Sequence, residues 1–273
     1  MIIKTLVEDT TSKNNLRSEH GLSLYIETSG KKILFDSGTS GLFMENAIKM
    51  GIDISKIDYA IISHGHNDHG GGLERFFEAN SKAEVFIHES AFDKHYSLRN
   101  GSMVYIGLDE KLRKNERIVY VKGRFFICKG IELFSDAKTT MPLPVANSNL
   151  YTEYKGKIIP DDFSHELYLT TAEESRHFLL TGCTHNGIMN IMEHYREMKG
   201  YMPQIIIGGL HLQSRTYTPR KDDVFMKELS DYMIKSQTVF YTCHCTGKDA
   251  FDILKQDLKN KIHYLCTGDE INI

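Results

Sequence analysis

Long uninterrupted apolar runs are missing from this chain. Its 273 residues contain no stretch near the ~18 apolar residues of a membrane span, and residues 1–9 lack the apolar core of a signal peptide. Neither sign of charge dominates, since the formal net charge is −3. A basic stretch interleaved with aromatics, which is typical of nucleic-acid binding, is also lacking. We therefore expect a cytoplasmic protein with neither membrane nor nucleic acid as its partner.

Cysteine is scarce as well. The five cysteines are odd in number and nothing suggests secretion, which argues against a disulfide framework. We expect Cys128, Cys243, Cys245 and Cys266 to be buried as small apolar side chains. Cys183 differs because it stands two positions before a histidine, where a thiolate could lie close to a metal ion.

The apolar pattern predicts alternating strands and helices. Strands are expected over residues 2–7, 22–27, 32–35, 59–62 and 83–88, with a helix over 40–50. In the last hundred residues, strands over 176–181, 204–207, 238–242 and 261–266 alternate with amphipathic helices, which is typical of helices packed on a sheet. No helix face is left over to mark an oligomer interface.

The segment 96–165 is less regular. It holds short candidate strands over 104–106, 118–121, 125–128 and 131–134, and three of the five prolines. We predict an inserted β-rich region with loops. Its basic residues could bind a phosphate, although solvated hairpin faces are the commoner role of such charges. These residues are Arg99, Lys111, Arg113, Lys114, Arg117, Lys122 and Arg124.

The densest set of possible metal ligands follows the apolar strand Tyr59–Ile62. His64, His66, Asp68 and His69 fall within six positions, and neutral imidazole and carboxylate are ligands that zinc and its neighbours prefer. Three glycines follow and allow a tight turn into a helix near residue 73. A loop that leaves a strand end is a common place for an active site.

Three later loops repeat this arrangement of a histidine beside glycine at a predicted strand end. They contain His185 after Cys183, His211 after a Gly-Gly pair, and His244 between two cysteines. Any one of these would most often be a structural histidine. Their recurrence beside the first cluster predicts one shared site.

The His-x-His-x-Asp-His pattern of residues 64–69 resembles the signature of the metallo-β-lactamase fold superfamily, and the resemblance covers essentially residues 1–273. It implies an α/β fold, a single four-layer αββα sandwich with the β-rich insertion at about 96–165. It also implies two divalent metal ions, most often zinc, with manganese or iron as alternatives. Asp36 would match an early Asp-x-Gly segment that orients the metal loop.

Three motifs are more similar to one branch of the superfamily, that of the dihydropterin-methyl ribofuranosylaminobenzene phosphate synthases of methanopterin biosynthesis. These motifs are residues 182–185, 208–212 and 244–247. Enzymes of that branch are transferases, which join a pterin-methyl diphosphate to an aminobenzene riboside phosphate and release diphosphate. The resemblance thus implies a phosphorylated small molecule as the substrate. Tyr and Phe residues of the inserted region could supply a wall for the pterin ring.

The resemblance also implies the metal ligands. One ion would be held by His64, His66 and His185, and the other by Asp68, His69 and His244. Two departures affect this assignment. Cys183 stands where the superfamily usually has a bridging aspartate, and His185 follows a strand that the third histidine normally precedes. His211 therefore competes with His185 and His244 as a ligand, or donates a proton near the substrate.

Our leading hypothesis is a metal-dependent enzyme acting on a phosphate or diphosphate, with Asp68 also accepting a proton. A metal-dependent phosphoester hydrolase is one alternative. A non-catalytic metal-binding regulator is another. β-Lactam hydrolysis does not suit a cytoplasmic chain, and di-iron redox chemistry does not suit a histidine at position 66.

Overall fold

Eighteen β-strands and six α-helices make up the chain in a computed structural model that describes residues 1–273. The strands are β1 (Ile2–Val7), β2 (Ser23–Thr28), β3 (Lys31–Phe35), β4 (Tyr59–Ile62), β5 (Glu84–His88), β6 (His95–Arg99), β7 (Ser102–Tyr105), β8 (Ile118–Val121), β9 (Phe125–Cys128), β10 (Ile131–Phe134), β11 (Leu150–Tyr154), β12 (Lys157–Pro160), β13 (Tyr168–Glu173), β14 (Arg176–Leu180), β15 (Ile205–Gly208), β16 (Val239–Thr242), β17 (Ile262–Tyr264) and β18 (Glu270–Asn272). The helices are α1 (Leu42–Lys49), α2 (Asn67–Gly70), α3 (Leu73–Ala79), α4 (Ile188–Lys199), α5 (Val224–Ser236) and α6 (Lys248–Leu258). None of these helices is long and apolar enough to cross a membrane.

The first seven-stranded sheet has the order β18-β1-β2-β3-β4-β5-β8. Strands β1 to β3 are antiparallel, as the sequence predicts, and a tight turn with both Ser29 and Gly30 at positive φ joins β2 to β3. Strands β3, β4, β5 and β8 run parallel. Their carboxyl ends therefore meet at one edge, which brings the histidine-rich loop after β4 beside the end of β3.

The second seven-stranded sheet has the order β17-β16-β15-β14-β13-β10-β9. Strands β14, β15, β16 and β17 are parallel, and helices α4, α5 and α6 connect them in succession. The loops after β14, β15 and β16 consequently leave from the same edge. These are the three loops in which the sequence places the later histidines.

Three apolar clusters define the layers. Nineteen buried residues from both sheets, among them Phe35, Ile61, Phe178 and Ile207, fill the space between the sheets. A second cluster packs α1 and α3 on the first sheet, and a third packs α4, α5 and α6 on the second sheet. Each fully buried large side chain contributes roughly 1.5–3 kcal/mol. The four-layer αββα architecture is therefore confirmed.

The inserted region is divided between the sheets. Strands β8, β9 and β10 belong to the two large sheets, whereas β12, β11, β6 and β7 form a separate four-stranded antiparallel sheet. The segment directly after β7 joins this added sheet to the histidine loop, since His66 forms a bridge with Gly107 and the Asn67 N–H donates to the Ile106 carbonyl at 2.8 Å. It lies over the strand ends that carry the predicted site.

Candidate metal centre

The loops that carry the site share an uncommon backbone conformation. Asp36 after β3, Thr184 after β14, His211 after β15 and His244 after β16 all have φ between 45° and 60°. Non-glycine residues adopt this left-handed conformation at an energetic cost, and it persists where the surroundings hold it. Each loop thus reverses sharply at the strand end, and the side chains of four different loops converge.

Asp36 organises the histidine loop. Its fully buried carboxylate accepts hydrogen bonds from the Ser63 N–H at 2.7 Å, the Ser63 hydroxyl at 2.8 Å and the His69 Nδ1 at 2.6 Å. Because Nδ1 of His69 carries the proton, its Nε2 keeps a free lone pair. That lone pair faces Cys183 Sγ at 3.1 Å. The carboxylate therefore sets the tautomer of one candidate ligand.

Hydrogen bonds at Nδ1 set the tautomers of His64 and His185 in the same way. Nδ1 of His64 donates to the Ser63 hydroxyl at 2.9 Å, and Nδ1 of His185 donates to Asn147 Oδ1 at 3.0 Å, which leaves both Nε2 atoms as ligands. Burial and the neighbouring imidazoles hold the pKa of both rings well below the usual range, so both are neutral. The ligand atoms of His64, His185 and Cys183 lie within 4.8 Å of one another.

A second group contains His69, His244 and Cys183, also within 4.8 Å of one another. Nδ1 of His244 donates to Asp9 at 2.6 Å, and its Nε2 lies 3.3 Å from Asp68 Oδ2 without a hydrogen bond. Burial lowers the pKa of His244, but the Asp9 and Asp68 carboxylates outweigh it and raise that pKa well above 6.5. A metal ion at this nitrogen must therefore displace a proton.

The donor atoms of these residues fit divalent metal. The Nε2 atoms of His185 and His244 are buried without hydrogen-bond partners, although buried polar groups are normally paired. His66 Nδ1 lies 3.1 Å from His64 Nε2, so both nitrogens face one point. Cys183 alone belongs to both groups, at the position where a bridging ligand would lie. Burial raises the pKa of its thiol, so a bound cation is needed to hold it as thiolate.

His211 takes a different place from His185. Its ligand atom groups with Cys183 and Cys245, and its ring centroid lies 4.1 Å from that of His185. Both ring nitrogens of His211 lack hydrogen-bond partners, and the side chain is only half-buried. The geometry thus sets His185 among the candidate ligands of the first ion and leaves His211 beside them at the cavity.

The expectation for the other cysteines is only partly correct. Cys243 is fully buried in the apolar layer between the sheets, as predicted. Cys245 is buried, but it lies at the site, where its Sγ accepts from the His211 N–H at 3.3 Å. Cys128 and Cys266 are only half-buried, so the prediction was wrong for these two. They lie near sheet edges, where covering layers end.

Sequence reasoning missed two residues at the mouth of the site. Asp9 follows β1 and accepts from Nδ1 of both His244 and His20, and His20 Nε2 lies 3.4 Å from Asp68 Oδ2. The hydrogen bond to Asp9 raises the pKa of His20 above 6.5. His20 does precede a glycine, Gly21, but it follows no predicted strand, and Asp9 lies outside the histidine-containing loops from which the site was predicted. Their role comes only from the pairing of β1 with the rest of the sheet.

A family model described as the metallo-beta-lactamase superfamily matches residues 17–200, which span both the His64–His69 loop and the loop of Cys183 and His185. The chain belongs to the metallo-beta-lactamase superfamily. Members of this superfamily are mostly metal-dependent hydrolases, and they bind divalent metals.

Individual relatives are similar over nearly their whole length. A 7,8-dihydropterin-6-methyl-4-(beta-D-ribofuranosyl)-aminobenzene-5'-phosphate synthase of Methanocaldococcus jannaschii is 27% identical, with 97% of this chain and 94% of that protein covered. An uncharacterized protein of the same organism is 28% identical over 93% of this chain and 94% of its own. The crystal structure of Tm1679, described as a metal-dependent hydrolase of the beta-lactamase superfamily, is 30% identical with a TM-score of 0.85, covering 100% and 99%.

A cavity of about 600 Å³ opens over this candidate metal centre. Its cationic wall residues are Arg99 from β6, Arg215 from the loop after β15 and Lys248 at the start of α6. Arg99 alone among the seven basic residues considered in the inserted region lines the cavity. No Tyr or Phe of that region lines this cavity, and the aromatic side chain that does so is Tyr264.

Proposed function

We propose that the protein is an enzyme that uses two divalent metal ions, most readily zinc, to act on a phosphate or diphosphate group of a small molecule. The observation that carries the proposal is the position of Cys183, which is shared by two groups of buried ligand atoms at the floor of one cavity. The first ion would be held by His64, His66 and His185. The second would be held by Asp68, His69 and His244.

The bound ions would supply Lewis-acid stabilisation of negative charge on the phosphate oxygens. Asp68 lines the cavity and is placed between His20 and His244, so its carboxylate is oriented and able to accept a proton from an attacking group. His211 lies at the cavity with both ring nitrogens unpartnered. It would exchange a proton with the substrate rather than bind a metal.

The cavity wall supports an anionic substrate. Arg99 lines the cavity and has a buried Nε–H without a hydrogen-bond partner. Arg215 and Lys248 lie on other elements that line the cavity. Guanidinium and ammonium groups in such walls bind phosphate oxygens through charge-assisted hydrogen bonds. The centre would then act on a substrate that carries more than one anionic group.

Similarity to the dihydropterin synthase favours a transfer reaction. In that reaction the C–O bond between a pterin methylene and its diphosphate breaks, and a C–N bond to an aromatic amine forms. Diphosphate leaves with the electron pair of the broken bond, while the amine proton passes to a base such as His211. Tyr264 would contact the flat ring in place of the aromatic wall expected from the inserted region.

Similarity to Tm1679, a metal-dependent hydrolase at 30% identity, favours hydrolysis as the second candidate, and the cationic cavity wall makes a phosphoester the substrate that we propose for it. The same centre would serve it, with water replacing the amine and Asp68 accepting the proton. A non-catalytic metal-binding regulator is the third. It needs no open cavity beside the ions, which makes it the weakest of the three.

Metal content per chain is the first test, measured by elemental analysis on protein purified without chelator. We expect close to two ions in the wild type and fewer in Asp68→Asn and in Cys183→Ser. Cys128→Ser, at a half-buried cysteine on β9, serves as the matched thiol control and should keep both ions. A wild type without metal, or ion content that neither site substitution changes, would contradict the dinuclear centre.

Released diphosphate and phosphate then separate the reactions. A transferase releases diphosphate from a pterin-methyl diphosphate only when the aminobenzene riboside phosphate is present. A hydrolase releases product from phosphoesters or diphosphates without an acceptor. Full metal loading with no turnover of either class of substrate would favour the non-catalytic metal-binding regulator.

A further inference from the structure

A second cluster of ionisable side chains lies directly behind His66. His66, His95, Asp161 and His165 are all at least nine-tenths buried, and one ligand-type atom of each lies within 4.8 Å of the others. Only His66 belongs to the proposed metal centre. The other three come from the inserted region, with His95 at the start of β6 and Asp161 directly after β12.

The hydrogen bonds fix most of the protons in this cluster. The Gly65 N–H donates to His165 Nδ1 at 2.9 Å, so that nitrogen carries no proton and His165 Nε2 does. His165 Nε2 lies 3.3 Å from Asp161 Oδ2. His95 Nδ1 lies 2.9 Å from the same oxygen and must be protonated to donate to it. Asp161 Oδ1 accepts the Phe163 N–H at 2.8 Å.

These protons argue against a third metal ion within the cluster. His165 Nε2 is buried without a hydrogen-bond partner, but it cannot bind a cation while it bears its proton, and Asp161 Oδ2 already accepts a hydrogen bond from His95 Nδ1. The nitrogens that remain are His66 Nε2 and His95 Nε2, both buried and without partners. Two nitrogens are too few for a closed metal site. The two nitrogens can, however, form a hydrogen bond with each other, because one is a donor and the other an acceptor.

The donor is His66 and the acceptor is His95. With His66 Nδ1 facing the first ion beside His64, its proton must reside on Nε2. With His95 Nδ1 donating to Asp161, its Nε2 keeps a lone pair. The two rings lie 5.5 Å apart between centroids and are nearly perpendicular at 76°, close enough for a modest rotation to join them.

We propose that His95 and Asp161 are positioning residues, which hold His66 in the tautomer and orientation that bind the first metal ion. The proposed series of hydrogen bonds runs from the carboxylate of Asp161 through His95 to His66, and the protonated Nε2 of His165 lies 3.3 Å from the same carboxylate oxygen as His95 Nδ1. This inference rests on the proposed function, since it assigns a role toward the metal that His66 would bind. It adds two residues that no ligand motif contains.

The glycine between the two histidines of the signature is consistent with this role. A Cβ at position 65 would lie 2.8 Å from His95 Nε2 and 2.3 Å from the Ala91 carbonyl oxygen, closer than real side chains allow. Only glycine lets the metal loop approach His95 so closely. The added sheet is thereby tied to the metal loop, and Arg99, four residues after His95 on β6, is placed relative to the same ion.

The test uses three variants of the full-length protein. Asp161→Asn puts an amide N–H opposite His95 Nδ1, which moves the His95 proton to Nε2. The N–H groups at His95 Nε2 and His66 Nε2 would then face each other and could not form a hydrogen bond. His95→Phe keeps a ring and removes the acceptor. His88→Phe is the control, because His88 is equally buried at 1% exposure and its Nδ1 only accepts a nearby N–H.

Zinc affinity, measured by competition with a chromogenic chelator, should fall about 10- to 100-fold in Asp161→Asn and His95→Phe, as for other partners of metal-binding histidines. The visible spectrum of the cobalt-loaded protein should shift in both. The control should match the wild type in affinity and spectrum. Unfolding of the apo proteins with temperature, measured in parallel, shows whether a loss of affinity merely follows a loss of stability.

Wild-type affinity and an unchanged cobalt spectrum in both variants would overturn the inference while leaving the metal centre intact. A wild type that binds neither ion would instead refute the proposed function. Imidazole ¹⁵N NMR of the apo wild type decides the matter even if a variant fails to fold. A proton on His95 Nδ1 supports the inference, and a proton on its Nε2 contradicts it.

Discussion

Replacing Asp36 by asparagine should damage metal binding more than folding. Asp36 accepts three hydrogen bonds, two from Ser63 and one from His69, and it is completely buried. The asparagine keeps the shape and one acceptor oxygen, which can still pair with the Ser63 N–H. Loss of the charge-assisted bonds should then cost about 1–2 kcal/mol of the free energy of unfolding. Asp36→Ala should cost about 3–5 kcal/mol, because it leaves all three donors buried and unpaired.

The effect on the second ion comes from His69. In Asp36→Asn, the new amide nitrogen would donate to His69 Nδ1, so the His69 proton would move to Nε2, which lies 3.1 Å from Cys183 Sγ. That nitrogen could then bind metal only after losing its proton. We expect zinc affinity at the second ion to fall about 10- to 100-fold, which corresponds to about 1.4–2.7 kcal/mol.

Two titrations measure these changes in the free energy of unfolding and in zinc affinity. Urea unfolding in the presence of a chelator gives the stability of the apo protein, and competition with a chromogenic chelator gives the affinity for each ion. Asp53→Asn is the matched control, since Asp53 is an exposed carboxylate that also accepts a backbone N–H. The reasoning is refuted if Asp36→Asn binds two ions as tightly as the wild type does.

Three further predictions concern other parts of the chain. Gly208→Ala should destabilise the protein by about 3–5 kcal/mol, because φ is +151° and the new Cβ would lie 2.3 Å from the Thr181 carbonyl oxygen. Gly200→Ala, with φ +82° and open space around the new Cβ, should cost about 1 kcal/mol. Urea unfolding compares the stabilities of the two variants. Burial lowers the pKa of His88 from 6.5 to about 4. Between those pH values the unfolded chain binds a proton at His88 that the folded chain does not bind. The free energy of unfolding should therefore decrease as the pH falls through this window, by up to roughly 2–3 kcal/mol. His88→Phe should flatten that part of a stability–pH profile, and an unchanged profile would exclude His88 as its source. Once a substrate is known, Arg99→Met should raise KM about tenfold or more with a smaller change in kcat, and an unchanged KM would exclude Arg99 from substrate binding.

Much of the fold follows from the sequence because its strands and helices are strongly patterned. The strands β1, β4, β8, β9 and β10 lie at the residues expected, and the other predicted strands differ by at most two residues at either end. Strand β13 was missed, since it is separated from β14 by only a short turn and the two form one long apolar hairpin. Strands β11 and β12 were missed because the side chains of β12 are exposed, those of β11 are mostly half-buried, and neither strand shows a clear alternation.

The candidate site was predictable where ligand types share one loop. His64, His66, Asp68 and His69 are close in space because they are close in sequence, and Cys183, His185, His211 and His244 join them because parallel strands end at one edge. Asp9, His20, His95, Asp161 and His165 could not be found in this way. They lie outside the strand-end histidine motifs, and the contacts that join them to the predicted ligands, such as Asp9 with His244 and His165 with Gly65, link positions far apart in the chain that only tertiary packing brings together.

The hydrogen bonds that Glu8 and Asp9 make to His244 have a consequence for how the protein is synthesised. The Glu8 carboxylate accepts from the His244 N–H at 2.7 Å, and the two residues are 236 positions apart. Contacts of such long sequence separation form late in folding. During synthesis, the loop after β4 with its three imidazoles emerges first, the loop of Cys183 and His185 follows, and His244, which is expected to complete the second ion's ligands, emerges after both. The second position would therefore fill only after His244 has emerged, whereas a shorter nascent chain can offer a cation at most the ligands of the first position.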